Sequence, residues 1–294
     1  MPKKSILFII NPISGRRRLN NIADIIQKEV DAEKYTVNIN FTESAGHASV
    51  LSKEAVENKT DFIVAVGGDG TINEVASQMI GTESVLGIIP GGSGNGLARH
   101  LGIPLVPEKA VQLVFNGKIS KIDTGTVNEK NFISIAGIGF DALVAKLFSE
   151  NKKRGFLTYL SLIAQQFSRY REKKYTLEFE NGETLITKAL FISFANSNQF
   201  GYNTTISPNA QLNDGLLDVC IVKKPKFIDL PGIINLLLLK KIDQSPFVKI
   251  RPAKKIIIKR SKNRFVNIDG EAIKLKKNLI VEINPLSLNV IIPK

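Results

Sequence analysis

The sequence predicts an α/β protein in which a doubly wound N-terminal domain is followed by a β-rich two-layer sandwich domain. Strand-like and helix-like segments alternate over residues 1–120, which is typical of a parallel sheet covered by helices. Short strand-like runs dominate residues 121–294, where Asn181-Gly182 predicts a β-hairpin. A length of 294 residues is sufficient for two domains. We therefore expect a boundary near residue 120, with the last strand able to return to the first domain.

The first domain is predicted to contain four strands and three helices. The strand-like runs are residues 5–10, 35–41, 61–66 and 84–89. The helical patterns are residues 19–30, 46–58 and 71–80. In the third pattern, Thr71 and Glu74 predict a capping box at the helix start, and Gly81 predicts its end. Ligands of such sheets bind at the carboxyl ends of the strands.

The second domain is predicted to be mostly β. Its strand-like runs are residues 121–127, 131–136, 175–180, 183–195, 215–222, 254–260, 264–268, 279–284 and 288–293. Helical patterns interrupt them at residues 140–149, 155–170 and 226–241. The last of these contains four consecutive leucines, which fit either the core of the domain or an interfacial helix. The pattern alone leaves both alternatives open.

Composition narrows the class of protein. No apolar run reaches the roughly 18 residues that a membrane-spanning helix needs. The N-terminal apolar stretch lacks the cleavage site of a signal peptide. Cys220 is the single cysteine, so an internal disulfide is excluded, and we interpret it as a small apolar residue in a buried strand. These features favour a cytoplasmic protein.

The charge is distributed unevenly along the chain. Residues 1–120 hold 12 basic and 12 acidic residues, whereas residues 121–294 hold 28 and 15, so the net charge of +13 lies in the second half. A basic field confined to one half favours an anionic membrane surface or nucleic acid, although a merely solvated basic face is an equal alternative. The absence of Trp and of an aromatic stacking motif argues against nucleic acid.

Three glycine-rich loops follow strands of the first domain. They are residues 11–18 (NPISGRRR), 67–74 (GGDGTINE) and 90–102 (PGGSGNGLARHLG). We expect them to gather at one edge of the sheet, where glycine amides and helix N-termini favour phosphate groups. None is a Walker loop or a Rossmann fingerprint. Together they predict a nucleotide site.

Two turns of the second domain carry acidic residues beside glycine. Asp214 and Asp218 lie in residues 207–219, and Asp269 and Glu271 lie in residues 267–273. Taken alone, each is an ordinary Asp-Gly turn. Phosphoryl transfer, however, needs carboxylates that hold Mg²⁺ and a carboxylate that accepts the proton of the nucleophile. The combination of these turns with the glycine-rich loops therefore points to that chemistry.

These motifs resemble the diacylglycerol kinase catalytic-domain family, which includes sphingosine, ceramide and bacterial lipid kinases. The resemblance runs along the chain in the order NPISG, GGDGTINE, PGGSGNGLAR, PNAQLNDGLLDV and IDGE. GGDGT alone is shared with NAD kinases. The resemblance implies an NAD kinase/diacylglycerol kinase-like first domain and an active site between the two domains. It implies an enzyme that uses ATP and Mg²⁺ to phosphorylate the hydroxyl of a membrane lipid, diacylglycerol or a related one. The alternatives are a sphingoid-base kinase, an NAD kinase-like enzyme and a non-catalytic membrane-binding protein.

The resemblance also implies roles for individual residues. Contacts with ATP are implied for Asn11, Thr42, Gly67, Gly68, Asp69, Gly70, Thr71, Ile72, Asn73 and Ser93. Asp69 is implied to act in catalysis through Mg²⁺ and water. A structural metal site is implied at Asp214 with the backbone carbonyls of Gln211 and Leu216. Asp269 and Glu271 match the pair that deprotonates the lipid hydroxyl, without indicating which is the base. Ser93 replaces the Thr common in bacterial members, and GSGN is closer to the sphingosine kinase branch.

The basic half is interpreted as the lipid-facing half of a peripheral membrane enzyme. Residues 226–242 place an apolar block between lysines, as an interfacial helix would. Further basic residues are expected to attract anionic headgroups: Lys254, Lys255, Lys259, Arg260, Lys262, Arg264 and the KLKK segment at 274–277. The expected partners are thus a membrane lipid and an anionic membrane surface, not nucleic acid, and the sequence also allows a homodimer.

Overall fold

The computed structural model describes residues 2–15, 19, 21–151, 155–201 and 204–294. The chain divides into two compact units. The first consists of residues 1–123 and 286–294, and the second of residues 124–285. The sequence placed the boundary after residue 120 and allowed the last strand to return to the first domain.

The first unit alternates strands and helices. Its strands are β1 (Lys4–Ile10), β2 (Tyr35–Phe41), β3 (Phe62–Gly67) and β4 (Val85–Pro90). Its helices are α1 (Ile22–Glu29), α2 (His47–Glu57), α3 (Asp69–Met79), α4 (Gly96–His100) and α5 (Pro107–Asn116). The four predicted strands and three predicted helices are confirmed. Helix α5 was not predicted, although a proline in its first turn is a common helix start.

The sheet of the first unit is parallel, in the order β2-β1-β3-β4. The end of β18 (Asn278–Ile292) adds a further parallel strand beside β4, with Asn289 opposite Val85. Every residue of β3 and β4 is buried, as expected for parallel strands covered on both faces. The carboxyl ends of β1, β3 and β4 lead directly into the three glycine-rich loops.

The predicted capping box of α3 is wrong. The helix begins at Asp69 rather than Thr71, its N-cap residue Gly68 is extended, and no side chain caps it. The Glu74 carboxylate instead accepts hydrogen bonds from the amides of Gly46 (3.1 Å) and Ala48 (3.2 Å). Glu74 therefore satisfies first-turn amides of α2, a neighbour distant in sequence.

The described residues of the second unit form strands in two larger β-sheets and a short two-stranded one. The first sheet has the order β14 (Val248–Ala253), β13 (Leu217–Val222), β10 (Phe191–Ala195), β7 (Ile135–Gly139), β16 (Arg264–Ile268) and β17 (Glu271–Leu275). The second is formed by the end of β5 (Lys118–Val127), β6 (Lys130–Phe132), β8 (Lys173–Phe179), β9 (Thr184–Ala189), β15 (Lys255–Lys259) and the start of β18. Strands β11 (Gln199–Gly201) and β12 (Thr204–Thr205) pair with each other. The helices are α6 (Phe140–Glu150), α7 (Phe156–Phe167) and α8 (Leu230–Leu238), with 3-10 turns at Phe227–Asp229 and Ile242–Gln244.

One buried core draws side chains from both large sheets, so the predicted two-layer arrangement is confirmed. Its members include Phe132, Tyr175, Leu177, Ile192, Phe194, Val219, Ile256, Ile258 and Val266. The hairpin at Asn181-Gly182 is also confirmed, because β8 and β9 pair in antiparallel fashion and Gly182 has a φ of 84°. Cys220 is fully buried in β13, as interpreted from the sequence.

Two strand boundaries differ from the prediction. Residues 183–195 form two strands, β9 and β10, which belong to different sheets. Leu190 lies between them: its amide donates to the Val222 carbonyl, and its carbonyl accepts from the Phe140 amide. Residues 279–284 and 288–293, predicted as separate strands, belong largely to the single strand β18. That strand continues through Leu286, whose φ is 49°.

Candidate active site

The three glycine-rich loops of the first unit contact one another, as the sequence predicts. A Cβ added to Gly15 would lie 2.3 Å from the carbonyl oxygen of Gly91, and Gly15 has a φ of 65°. A Cβ added to Gly92 would lie 2.8 Å from the Cα of Gly68. Glycine is therefore required where the first loop meets the third and where the third meets the second. Residues 16–18 of the first loop lie outside the described residues.

The Asp69 carboxylate joins the second loop to the third. Its Oδ2 accepts a hydrogen bond from the Asn95 amide (2.8 Å), and its Oδ1 accepts one from the Gly96 amide (2.7 Å). Both donors lie at the start of α4, where backbone amides have no partner within the helix. The acid in this glycine loop thus has a function even without a metal ion, because it holds the third loop in place.

Asn11 joins the first loop to the second. Its Nδ2 donates to the Thr71 hydroxyl (3.0 Å), and its Oδ1 accepts from the amides of Ile13 (3.0 Å) and Ser14 (3.3 Å). Thr71 is buried, and a Cβ at Gly67 would lie 2.7 Å from its hydroxyl oxygen. Asn11 and Thr71 therefore fix the geometry of the loops, whatever they contact in a ligand.

The start of α3 is the polar element around which these loops are arranged. The first-turn amides of a helix have no partner within it and favour anions. Gly70 lies in this turn, and a Cβ added to it would meet none of the described residues within 4 Å. Asn73 follows one turn later on the same helix, where its carbonyl accepts a hydrogen bond from Ser77. Ile72 has a different role, because its side chain is fully buried and its amide donates to Gly68 within the helix.

Thr42 and Ser93 differ in accessibility. Thr42 directly follows β2, and its amide donates to the Ile10 carbonyl (2.9 Å). Its side chain is buried, with 8% of the residue surface exposed. Ser93 is exposed in the third loop. Of the two hydroxyls, that of Ser93 is the more accessible to a ligand.

The turn between β16 and β17 contains both predicted acids of the IDGE motif, in different environments. Asp269 Oδ2 accepts from the Ile133 amide (2.6 Å), and its Oδ1 accepts from the amides of Ser134 and Ile135 (both 2.9 Å). Glu271 is exposed at the start of β17. Three backbone amides occupy the Asp269 carboxylate, whereas the Glu271 carboxylate is accessible to solvent.

The loop before β13 contains the residues predicted to bind metal. Asp214 is exposed, its Oδ1 accepts from the Leu216 amide (3.0 Å), and Gly215 between them has a φ of 71°. Gln211 is likewise exposed. Burial raises the pKa of Asp218, a hydrogen bond from Ser207 (2.5 Å) opposes that shift, and the charge of Asp214 adds to it. The loop and the start of β13 therefore hold two acids of different accessibility, Asp214 and Asp218.

The two acidic turns of the second unit lie at the same end of one sheet. Asp218 pairs with Ala195, Ala195 pairs with Ile135, and the Ile135 carbonyl accepts from the Asp269 amide (2.9 Å). Three strand spacings correspond to about 14 Å between the outer strands of this row. In the part of the chain that the structure describes, no group of three or more His, Cys, Asp or Glu side chains is arranged to hold a metal ion. A metal site here would need backbone carbonyls, which are the donors implied by the resemblance.

Helices α7 and α8, together with the 3-10 turn that precedes α8 and the residue that follows it, expose apolar side chains. None of the residues of α8 is buried, so the core interpretation of the leucine run is wrong. The exposed fraction of the residue is 81% at Leu157, 85% at Ile228 and 78% at Leu238. The other exposed apolar residues of these segments are Leu160, Phe227, Ile234 and Leu239. The rings of Phe167 and Phe227 are 5.8 Å apart and connect the two segments. Among the described helices, none has the length and apolarity needed to cross a bilayer.

One basic residue predicted to attract headgroups is not accessible. Arg260 is 6% exposed, and its guanidinium donates to the carbonyls of Leu275, Lys276 and Lys277. It therefore holds the connection between β17 and β18. Lys259 beside it forms an ion pair with Glu178. Other predicted lysines, including Lys254 and Lys262, are exposed, as are the lysines around α8: Lys226, Lys240 and Lys241.

Models of two protein-domain families match consecutive parts of the chain. The first, the diacylglycerol kinase catalytic domain, covers residues 5–127. The second, the YegS C-terminal NAD kinase beta sandwich-like domain, covers residues 134–292. The glycine-rich loops lie in the first match, and the acidic turns lie in the second.

Similar proteins are found among named relatives and solved structures. A diacylglycerol kinase of Bacillus subtilis (strain 168) is 31% identical over 274 residues, which are 91% of this chain and 90% of the relative. One of Staphylococcus epidermidis is 26% identical over 273 residues, 92% of this chain and 86% of the relative. A crystal structure of a diacylglycerol kinase of Bacillus anthracis superposes with a TM-score of 0.77 at 21% identity, covering 99% of this chain and 98% of that one. The last likeness supports the fold.

Proposed function

The chain belongs to the diacylglycerol kinase catalytic-domain family and is a kinase, and on this premise we propose that it transfers the γ-phosphoryl group of ATP to the hydroxyl of a membrane lipid of the diacylglycerol class. The observation that carries the proposal is the meeting of three glycine-rich loops around the start of α3. The loops lie in the first unit and the IDGE turn in the second, so the proposed reaction requires both units.

The first unit is proposed to bind ATP. Backbone amides near Gly68 and Gly70 provide the positive end of a helix for the phosphates. The glycines keep side chains out of the space above these amides, and Ser93 offers an accessible hydroxyl. Asn11, Thr71 and Asp69 hold the loops in register, while Thr42 lies at the same end of the sheet, hydrogen-bonded to the end of β1.

The second unit is proposed to supply the base. Glu271 is the better candidate because its carboxylate is exposed, whereas that of Asp269 accepts three backbone hydrogen bonds. Glu271 would take the proton of the lipid hydroxyl as that oxygen bonds to the γ-phosphorus. The bond from the γ-phosphorus to the bridging oxygen breaks, and ADP leaves with the electron pair. Asp269 would hold the turn in place.

The residues present fit Mg²⁺ in the chemistry of their donors, because carboxylate and carbonyl oxygens are the hard ligands that this ion prefers. When bound with ATP, Mg²⁺ neutralises part of the phosphate charge. Asp69 would face it through water, using lone pairs that its two amide donors leave free. Asp214, with the carbonyls of Gln211 and Leu216, would form a separate structural site. The turn at Gly215 brings Leu216 back to the Asp214 side chain, which suits such a site.

A lipid-panel assay tests the proposed reaction. The full chain is incubated with radiolabelled ATP, Mg²⁺ and mixed micelles containing diacylglycerol, sphingosine or ceramide, with NAD as a separate acceptor. We expect label in the lipid fraction with diacylglycerol, and none in the absence of Mg²⁺. Transfer to sphingosine alone would assign the sphingoid-base alternative, and transfer to NAD would assign the NAD kinase alternative. A folded protein that labels no acceptor would contradict the proposed function.

We further propose that the protein binds anionic membranes peripherally through α7, α8 and the 3-10 turn that precedes α8. Six of the seven exposed apolar residues there are leucine or isoleucine, and the lysines beside α8 are exposed. Apolar side chains that insert at the headgroup boundary, with lysines at the surface, are typical of interfacial helices. This arrangement would place the lipid-binding unit on the bilayer that contains its substrate.

Replacing Ile228 and Leu238 together with glutamate is expected to weaken membrane binding. Burial of one such side chain contributes about 1.5–3 kcal/mol, so the loss of two should reduce vesicle binding by at least about a hundredfold. Co-sedimentation with vesicles containing an anionic phospholipid measures this change. Ile186→Glu is the matched control, because Ile186 is 61% exposed on β9, outside α7, α8 and the 3-10 turn that precedes α8. Equal losses in both proteins would contradict a specific surface, and binding that ignores salt would contradict its electrostatic part.

A further inference from the structure

A buried carboxylate is linked to the IDGE turn through one side chain. Asp141 lies in the first turn of α6 and is 4% exposed. A Cβ at Gly137 would lie 1.9 Å from its Oδ2, so the bare backbone of that residue makes room for the carboxylate. Burial raises the pKa of Asp141 to about 6, and a hydrogen bond from Asn267 opposes that shift. The chain therefore accommodates an acid in a place where charge is costly.

Asn267 connects this carboxylate to the backbone of the turn. Its Nδ2 donates to Asp141 Oδ2 (2.9 Å), and its Oδ1 accepts from the Gly270 amide (2.8 Å). Asn267 is 8% exposed; its bond to Asp141 is buried, and its bond from the Gly270 amide is partly buried. Both ends of the amide are thus engaged, one by the buried acid and the other by the turn.

The turn itself consists of two residues. Ile268 pairs with Glu271, and Asp269 and Gly270 between them have φ values of 47° and 95°. Two successive positive φ values are characteristic of a tight hairpin turn whose twist sets the relation of the flanking strands. Glu271 is the first residue after the turn, so the direction of its side chain depends on that twist.

The chemistry of a carboxylate explains why an acid suits position 141. An ionised carboxylate only accepts hydrogen bonds, so Asn267 must turn its NH₂ group toward Asp141 and its oxygen toward Gly270. A side-chain amide at position 141 could either donate or accept a hydrogen bond, and would allow the side-chain amide of Asn267 to flip, exchanging its NH₂ group and its oxygen. The Gly270 amide would then face an NH₂ group and lose its acceptor. Stability alone would favour an uncharged residue here.

We propose that Asp141, acting through Asn267, is a positioning residue that fixes the Asp269–Gly270 turn and thereby the direction of Glu271. The kinetic consequence rests on the proposed lipid-kinase activity. The structural consequence, a fixed Gly270 amide, does not. The two can therefore be tested separately.

The first test is Asp141→Asn, which preserves side-chain size. We expect kcat to fall about 10- to 100-fold, as for a displaced catalytic group. KM for ATP should stay within about twofold, because the nucleotide loops lie in the other unit. Hydrogen exchange at the Gly270 amide, followed by NMR, should become faster because its acceptor is no longer fixed. Unchanged exchange and unchanged kcat in a folded variant would overturn the proposal.

The exchanged pair Asp141→Asn/Asn267→Asp provides the second test. In this variant the acid at position 267 can accept from both the amide at 141 and the Gly270 amide, so the link is restored in reverse. We expect slow exchange at Gly270 and recovery of most of the kcat lost in Asp141→Asn. A variant that folds as well as the wild type but recovers neither would contradict the link. Slow exchange in a protein without lipid-kinase activity would support the link while removing the proposed function.

Discussion

Replacing Glu271 by glutamine is expected to lower kcat about 10²- to 10⁴-fold, the usual contribution of a general base. Glutamine has nearly the same shape but cannot accept the proton of the lipid hydroxyl. Affinity for ATP and the melting temperature should change little, because Glu271 is exposed and lies outside the glycine-rich loops. Steady-state kinetics with diacylglycerol, together with calorimetric titration of ATP and thermal unfolding, measure all three quantities.

Asp269→Asn provides the comparison for this prediction. Its carboxylate accepts from the amides of Ile133, Ser134 and Ile135, so an NH₂ group at one oxygen position would leave at least one amide without its acceptor. We expect a lower melting temperature as well as lower activity. If Asp269→Asn loses activity at unchanged stability while Glu271→Gln stays active, the two roles are the reverse of those proposed.

Much of the fold could be predicted from the sequence because its signals are local. Within the predicted strands, residues 62–66 and 85–89 are apolar apart from one glycine and lie in fully buried parallel strands, and Asn181-Gly182 forms the hairpin it predicts. The glycines of the three loops were also informative. A glycine that tolerates no Cβ, such as Gly15 or Gly92, marks a close approach of two backbones.

The contacts that assign roles to the acids could not be predicted, because their partners are remote in sequence. Asp269 is held by residues 133–135, and Glu74 caps α2 rather than its own helix. The capping-box pattern uses only local spacing, so it cannot show that amides of another helix bind the Glu74 carboxylate. Asp141 has no motif beside it at all, and only the structure shows that it is linked to the IDGE turn.

The leucine run shows a second limit of sequence patterns. An apolar helix can be buried in a core or exposed for a membrane, and periodicity is the same in both cases. The deciding fact is what packs against it. Helix α7 places Tyr159, Ile163 and Phe167 against a cluster that includes Phe140 of α6, while α8 has no buried residue.

Replacing Asp69 by asparagine is expected to lower the free energy of unfolding by about 1.5–3 kcal/mol, the usual value of a hydrogen bond to a charged group. Asparagine can accept at one position only, so the amide of Asn95 or of Gly96 would lose its acceptor. The third loop would then be held less firmly, and affinity for ATP should fall as well. Asp24→Asn is the matched control, since it makes the same charge change at an exposed position on α1. Thermal unfolding and ATP titration measure both effects.

The same variant separates the two functions proposed for Asp69. If the carboxylate only holds the third loop, Asp69→Asn weakens ATP binding by the same factor at every Mg²⁺ concentration. If it also acts through the metal ion, the Mg²⁺ concentration required for half-maximal activity increases, because one negative charge near the phosphates is lost. An unchanged melting temperature would contradict the loop function, and an unchanged Mg²⁺ requirement would contradict the metal function. We expect both to change, since the two amides use one lone pair of each oxygen and leave the others available.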